Sequence, residues 1–395
     1  MDLADGPEET AFRAELRGFI AAHRQRAPKG FNPYRGSIEV REWQALLIEH
    51  GYAARDIPRE YGGYGAAHDP MRDRIVAEEF TAAGVPMGLS GQGVAMLTPT
   101  LLEFGTEAQK REWIPRTLRS EIIWCQGYSE PDAGSDLASL RTTAADDGED
   151  FVINGQKIWT SFADVADMMF GLFRTDPDKP KRDGISYLIL SMRSPGITVR
   201  PLRTMTGQAN FNEVFFTDVR VPKANLVGPR GWGWHVANAT LKHERGMLGD
   251  PDRMAVRLAR LGELMEREGA DGCRAIDDPA LRDRLMELEA RVAAMRAHGL
   301  RLLTLAQRGE AAGLAGMVVK LQGCELNHQM DALAIDVMGE LGTLYGETPH
   351  LRDEGAWQYQ HMYDLGLIIG GGTAQIQKNI IAERGLGLPR EAARG

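Results

Sequence analysis

Apolar residues at Phe12, Leu16, Phe19 and Ile20 fall on one face of a helix that Pro28 and Gly30 close. Trp43, Leu46 and Leu47 form a second stripe, stopped near Gly51, and Ile75, Val76 and Phe80 mark a third helix after the loop Pro58–Gly65. Thr106 followed by Gln109 is a capping-box pattern that opens a further helix. The period then shortens. Phe151-Val-Ile153 lies between Asp147-Gly148 and Asn154-Gly155, two hairpin-turn dipeptides, and Met168-Met-Phe170, Ile185–Leu190 and Val214-Phe-Phe216 supply more strands. This spacing predicts an antiparallel barrel or sandwich, with Pro177–Pro180 in an exposed connection. Helical spacing then returns. Leu281, Leu285, Leu288, Val292 and Met295 recur at steps of four and three, and Leu326, Met330, Leu333 and Val337 continue it, as in a helical bundle. The changes of period divide the chain into 1–121, 122–230 and 231–395, an α+β multidomain order of helices, strands and helices.

Composition narrows the partners. A chain of 395 residues with 43% hydrophobic and 26% charged content builds a large core. A net charge of −9 without a basic stripe argues against nucleic acid. An anionic coenzyme is still compatible with a local arginine cluster. Cys125, Cys273 and Cys324 are too scattered for a disulfide framework or a zinc site, which suits a reducing, cytoplasmic setting. The acidic N-terminus has no targeting character, and no apolar run has the length of a membrane span.

Three strings carry the chemistry. Tyr128-Ser-Glu-Pro-Asp-Ala-Gly-Ser-Asp136 is a polar turn after the apolar run Ile122–Cys125 and presents backbone N–H groups and two serine hydroxyls. Ile153-Asn-Gly-Gln-Lys-Ile-Trp-Thr-Ser161 is a strand with one tryptophan, and Gly372-Thr-Ala-Gln-Ile-Gln-Lys-Asn-Ile-Ile381 follows a glycine run. No Gly-x-Gly-x-x-Gly joins a strand to a helix, and Gly370–Thr373 lacks the Lys-Ser/Thr of a P-loop. Taken alone, the glycine run is a helix break and Trp159 a core aromatic. Together and in this order, the strings resemble the acyl-CoA dehydrogenases over nearly the whole chain.

The resemblance implies an N-terminal helical domain, a central β-domain and a C-terminal four-helix bundle, with FAD as cofactor. Gln126, Tyr128, Ser129, Trp159, Ser161, Thr373 and Gln375 match cofactor-contacting positions, Trp159 as the flavin-packing indole. Ser135 matches a contact to CoA. The implied reaction takes an α-proton and a β-hydride from an acyl thioester, on CoA or an acyl carrier, and gives the trans-2-enoyl product. Electrons then pass to an electron-transferring flavoprotein, and the implied assembly is a homodimer or homotetramer, or a heteromer.

Here the chain departs from the commonest pattern. Many members carry the base, a glutamate, immediately before the Gly-Thr of the C-terminal segment, where this chain has Gly371 beside the substrate. A subset places it in a Glu-Arg pair on the helix after the β-domain, which Glu244 and Arg245 match as base and substrate-side neighbour. Read alone, Lys242–Arg245 is a solvated helix face. Two interface motifs that serve the flavin across subunits are altered. Arg267–Arg274 lacks the Arg-x-x-Phe-Gly pattern, and Asp336-Val-Met-Gly-Glu-Leu-Gly342 keeps two glycines without the leading glutamine. The alternatives are an oxygen-using flavoenzyme on the same fold, or a half-site subunit of a mixed oligomer.

Overall fold

The computed structural model describes residues 5–30, 36–247, 250–269 and 272–389, with no side-chain description at 244–247. Two compact units, Met1–His243 and Glu244–Gly395, are taken in turn.

In the first unit, α1 (Pro7–His23), α2 (Ile38–Glu49) and α3 (Pro70–Ala83) pack the predicted stripes around Phe19, Trp43 and Phe80. Arg13 and Arg17 of α1 both hold the buried Glu79 of α3, at 2.8 and 2.7 Å. A single turn of π-helix, Gly93–Leu97, leads into α4 (Thr98–Phe104). Then α5 (Glu107–Leu118) opens on the full capping box of Thr106 and Gln109. The Gln109 side chain also donates to the carbonyls of Ala224 and Leu226, at 2.8 and 2.9 Å, tying this helix to the β-region.

Among the described residues eight strands form one sheet: β1 (Trp124–Gly127), β2 (Thr143–Asp147), β3 (Asp150–Ser161), β4 (Met168–Arg174), β5 (Ile185–Ser191), β6 (Ile197–Leu202), β7 (Phe211–Pro222) and β8 (Leu226–Val227). Their order is β6-β7-β3-β2-β4-β5-β8, with β1 added on β4. Most pairs are antiparallel, as expected, but β1 runs parallel to β4 and β2 meets β4 in a parallel bridge. The Asp147-Gly148 turn forms, with Gly148 at φ 65°. Asn154-Gly155 makes no turn, a correction to the sequence reading. There β3 continues straight through, because the Asn154 side chain exchanges two hydrogen bonds with Asp218 of β7, at 3.0 and 2.9 Å. Gly155, at φ 140°, absorbs the register shift against β7, and a β-carbon there would lie 2.7 Å from Thr142 Oγ1.

A buried ion pair ties the loop after β1 to β3. Lys157 is fully buried and Glu130 is 8% exposed. The Lys157 ammonium donates to Glu130 Oε1 at 2.8 Å and to the Tyr128 carbonyl at 3.1 Å. The same carboxylate accepts the Arg141 and Thr142 N–H groups, at 2.6 and 2.9 Å. Burial pushes the lysine down to about 8, and Glu130 opposes that shift. For Glu130, burial acts upward, but the Lys157 charge and these hydrogen bonds win and hold its carboxyl below the usual range.

After β8, α6 (Gly233–Met247) buries Val236, Ala237 and Thr240, and Thr240 shares a 2.9 Å hydroxyl contact with Thr100 of α4. The second unit packs α7 (Pro251–Glu266), α8 (Pro279–Gln307), α9 (Ala315–Met338) and α10 (Ala356–Ile369) around the predicted stripes, and α11 (Ala374–Ile380) closes it. Leu285, Leu288, Val292, Met295, Leu326, Met330 and Leu333 are buried as expected. Its core also holds charge. Arg257 of α7 donates to Asp364 of α10 at 2.6 Å and to Asp331 of α9 at 3.3 Å. Burial first, and Asp364 in addition, push the Asp331 carboxyl up to about 8, against the pull of Arg257.

Two measurements test these buried charges. Glu130→Gln leaves an ammonium without its counter-charge and costs about 3–5 kcal/mol in chemical denaturation. Adding Lys157→Met removes the stranded charge, so the double variant is the more stable of the two. For Asp331 the folded chain keeps a proton that the unfolded chain loses above the ordinary aspartate range. This contribution is complete below that range and is lost as pH rises toward about 8. Asp331→Asn therefore flattens the fall in thermal stability between about pH 5 and about pH 8. An unchanged slope would remove Asp331 as its source.

Candidate functional site

Strand β1 ends at the loop that carries most of the candidate residues. Gln126 lies in the parallel β1–β4 pairing opposite Phe170, and its Nε2 is buried without a hydrogen-bond partner. Gly127 permits the close approach of β4, since a β-carbon there would lie 2.4 Å from Met169 Sδ. Tyr128 is buried, its ring edge-on to Phe170 at 6.2 Å and to Tyr187 at 6.3 Å. Burial pushes the Tyr187 hydroxyl well above the usual tyrosine range, so it stays protonated. Ser129 is half-buried, and its carbonyl accepts the Ile158 N–H of β3 at 2.9 Å. Ser135 sits further along on the exposed side, beside Asp136, which pairs with Lys181 at 3.1 Å.

Trp159 occupies an irregular step of β3, where the register against β7 shifts between Lys157 and Thr160. Its backbone is left-handed, φ 58°, and the same value recurs at Phe162. Each costs about 1–2 kcal/mol for a residue with a side chain. The surroundings hold the strain in place. Phe162 N–H donates to Asn210 at 3.0 Å, and the buried Asn212 donates to the Thr160 carbonyl at 3.1 Å. The indole is left 57% exposed, edge-on to Phe211 at 6.0 Å. Ser161 follows on the same strand, in register with Phe211. A strained, exposed tryptophan is not the core aromatic that its residue type predicts. It presents a flat face suited to stacking on a planar ring system.

Thus Gln126, Tyr128, Ser129 and Ser135 share one loop region, and main-chain bonds and the Glu130–Lys157 pair join it to the strand of Trp159 and Ser161. Thr373, Gln375 and Gly371 belong to the second unit. Thr373 caps α11 by accepting the Ile376 N–H at 3.1 Å, and Gln375 is exposed. Gly371 and Gly372 are left-handed, φ 65° and 95°, and Gln377 Nε2 donates to the Gly371 carbonyl at 3.1 Å. The backbone of Glu244 and Arg245 lies in α6, one turn past the buried Thr240, and their side chains fall outside the described residues. Glu130, Lys157 and Lys320 escaped the sequence reading. The signal was present for each: a charge inside a motif or an apolar run, as in Met317-Val-Val-Lys320-Leu.

Among the described residues no His, Cys, Asp and Glu group could hold a metal ion, and no helix is long and apolar enough to cross a membrane. The unpartnered Gln126 amide and the open Trp159 indole fit a planar cofactor that carries hydrogen-bond acceptors. Models of the acyl-CoA dehydrogenase N-terminal, middle and C-terminal domains match residues 6–121, 125–219 and 231–386. The acyl-CoA dehydrogenase IpdE1 of Mycobacterium tuberculosis (strain ATCC 25618 / H37Rv) is 40% identical, over 96% of this chain and 98% of that one. Two solved structures share the fold along the chain. The Tcur3481-Tcur3483 steroid ACAD has a TM-score of 0.81 at 30% identity, covering 99% of this chain and 100% of that one. The ChsE4-ChsE5 complex from Mycobacterium tuberculosis has 0.80 at 34%, with the same 99% and 100% coverage. With three domain models and a full-length relative in agreement, the chain belongs to the acyl-CoA dehydrogenase family of oxidoreductases, and its cofactor is FAD.

Proposed function

We propose that this chain removes hydrogens from the α and β carbons of an acyl-CoA thioester, gives the trans-2-enoyl-CoA, and passes electrons to an electron-transferring flavoprotein. The observation that carries the reading is the exposed Trp159 on strained backbone, joined to the Gln126–Ser135 loop by a buried ion pair. Bound FAD supplies the hydride acceptor. In this reading Trp159, Gln126, Tyr128, Ser129 and Ser161 hold the flavin from the β-domain, and Thr373 and Gln375 contribute from the C-terminal segment. Ser135 contacts the CoA part of the ligand, and Arg245, beside Glu244, contacts the substrate. With boundaries at 121/122 and 230/231, Gln126–Ser161 fall in the central domain and Arg245, Thr373 and Gln375 in the C-terminal one.

The α-proton goes to Glu244, in our assignment. Its helix is anchored on one face by the buried Thr240–Thr100 contact, while Lys242, two residues before Glu244, is exposed. Gly371 takes no proton, and its left-handed backbone disfavours any side chain there. The similarity to a steroid ACAD directs the acyl group toward a bulky, steroid-derived one.

A second reading makes the chain one half of a mixed assembly. Where the resembled motif has glutamine, Asp336 is engaged by Arg284 at 2.7 Å. Gly342 is retained for packing, since a β-carbon there would lie 2.4 Å from the Ile335 carbonyl oxygen. That leaves no free glutamine-like handle for a neighbour's flavin. The ChsE4-ChsE5 complex, a two-component relative, supports this reading.

The purified protein is expected to be yellow, and anaerobic addition of one acyl-CoA from a panel rich in steroid-derived side chains bleaches it. Bleaching by none, with oxygen uptake instead, would move the chain to the oxygen-using enzymes. Glu244→Gln keeps flavin and ligand binding and lowers turnover by about 10²–10⁴-fold. Full turnover in that variant sinks the assignment of the base, and adding Gly371→Glu restores none of the loss. On the mixed-assembly reading, the chain purified alone holds little FAD and gains it when co-expressed with a second dehydrogenase subunit. Stoichiometric FAD in the lone chain would reject that reading.

A further inference from the structure

The buried lysine of the second unit has no part in the reaction as proposed. Lys320 lies on α9 and is 1% exposed. Its ammonium donates to the Gly372 carbonyl at 2.6 Å and to the Ile368 carbonyl at 3.2 Å. Ile368 belongs to the last turn of α10, whose final carbonyls lack partners within the helix. A cation suits this end, where the helix dipole is negative. Gly372 belongs to the turn that leads to Thr373 and α11.

Three features make this turn a held object and not a passive linker. Gly371 and Gly372 take left-handed backbone, which gives the peptide planes a fixed and unusual orientation. The buried Gln377 reaches back to the Gly371 carbonyl, so adjacent carbonyls are gripped from two helices, α9 and α11. The helix that precedes the turn is itself pinned, because Asp364 of α10 meets Arg257 of α7 at 2.6 Å. Lys320 and Arg257 thus hold α10 near its end and one turn earlier. Burying an ammonium is costly, and a methionine of similar length would fill the same space without that cost. What a methionine would not supply is a donor to the turn.

We propose that Lys320 is a positioning residue that fixes the Gly370–Gly372 turn, and with it Thr373 and Gln375, where the flavin is to be held. The proposal rests on the reading above for the role of Thr373 and Gln375, but the grip on the turn stands apart from it. Lys320 touches neither substrate nor reacting atoms; it acts through the backbone of the turn.

Hydrogen exchange on the FAD-loaded enzyme, read peptide by peptide, separates positioning from bulk stability. In Lys320→Met, amide exchange across 368–374 speeds by about 10- to 100-fold, the effect of losing a charge-assisted bond. Exchange in the buried parts of α7 and α8 stays as it was. FAD dissociates faster by a similar factor, followed by the return of flavin fluorescence. Lys320→Gln keeps one donor and gives a smaller change in both; it also serves as the test variant if the methionine chain fails to fold. Unchanged exchange at 368–374, or a uniform rise across the bundle, overturns the proposal. Local loosening with unaltered FAD release upholds the grip and instead overturns the placement of Thr373 and Gln375 at the flavin.

Discussion

The candidate site depends on a charge that the fold can bury only because a second charge meets it. Lys157 sits inside the β-domain with Glu130 as its partner, and neither is expendable alone. The pair does more than neutralise itself. The carboxylate also accepts the backbone N–H groups of Arg141 and Thr142, and the ammonium donates to the Tyr128 carbonyl. A loop of Pro, Gly, Ser and Asp would otherwise sample many conformations at a large entropic cost. Here its start is fastened to β3 through Lys157 and the Ile158 N–H, and Glu130 also holds the Arg141–Thr142 backbone beyond it; the next irregular step of β3 carries Trp159. Apolar residues of similar volume could have filled the space as stably, but they could not have oriented main-chain groups.

The second unit solves a parallel problem with a different device. Its core is a bundle that the heptad-like stripes would have built unaided, yet Asp331, Asp364 and Lys320 are buried within it and the half-buried Arg257 reaches in to both aspartates. These groups lie along the faces where α7, α9 and α10 meet. Apolar knobs alone permit helices to slide by small amounts, whereas a hydrogen-bonded charge has a single best register. The consequence appears at the end of α10, where the chain must leave the helix in a defined direction to reach Thr373. Both units thus place buried charge on the segments that carry candidate cofactor residues.

Elements whose signal is local were legible in the sequence. The capping box at Thr106 and Gln109, the Gly148 turn, and the stripes of α1, α8 and α9 all formed, because each depends on residues a few positions apart. Asn154-Gly155 reads as a turn by the same local rule and is none. Its side chain is committed to Asp218, a residue far along the chain, and no local rule can see that partner. The parallel β1–β4 pairing escaped for the same reason. For the site, the motif strings located the loop, the tryptophan strand and the C-terminal turn. They did not show that Trp159 would be exposed on left-handed backbone, since a residue name carries no φ angle. Nor did they pair Glu130 with Lys157, although both letters lay inside the strings.

The glycine run shows how the two kinds of information combine. By composition it is a gap, a place where a carboxylate is missing. By geometry Gly371 and Gly372 have left-handed backbone, and the carbonyls of both are engaged by Gln377 and Lys320. A side chain at Gly371 would carry the strain of that backbone. At Gly372 it would also collide with Gln377, since a β-carbon there would lie 2.8 Å from the Gln377 Nε2. The turn is therefore built around the absence of side chains, and its architecture and the loss of the commonest base position are one fact. The proposed reaction then has to draw its base from elsewhere, and our assignment to Glu244 places it on α6.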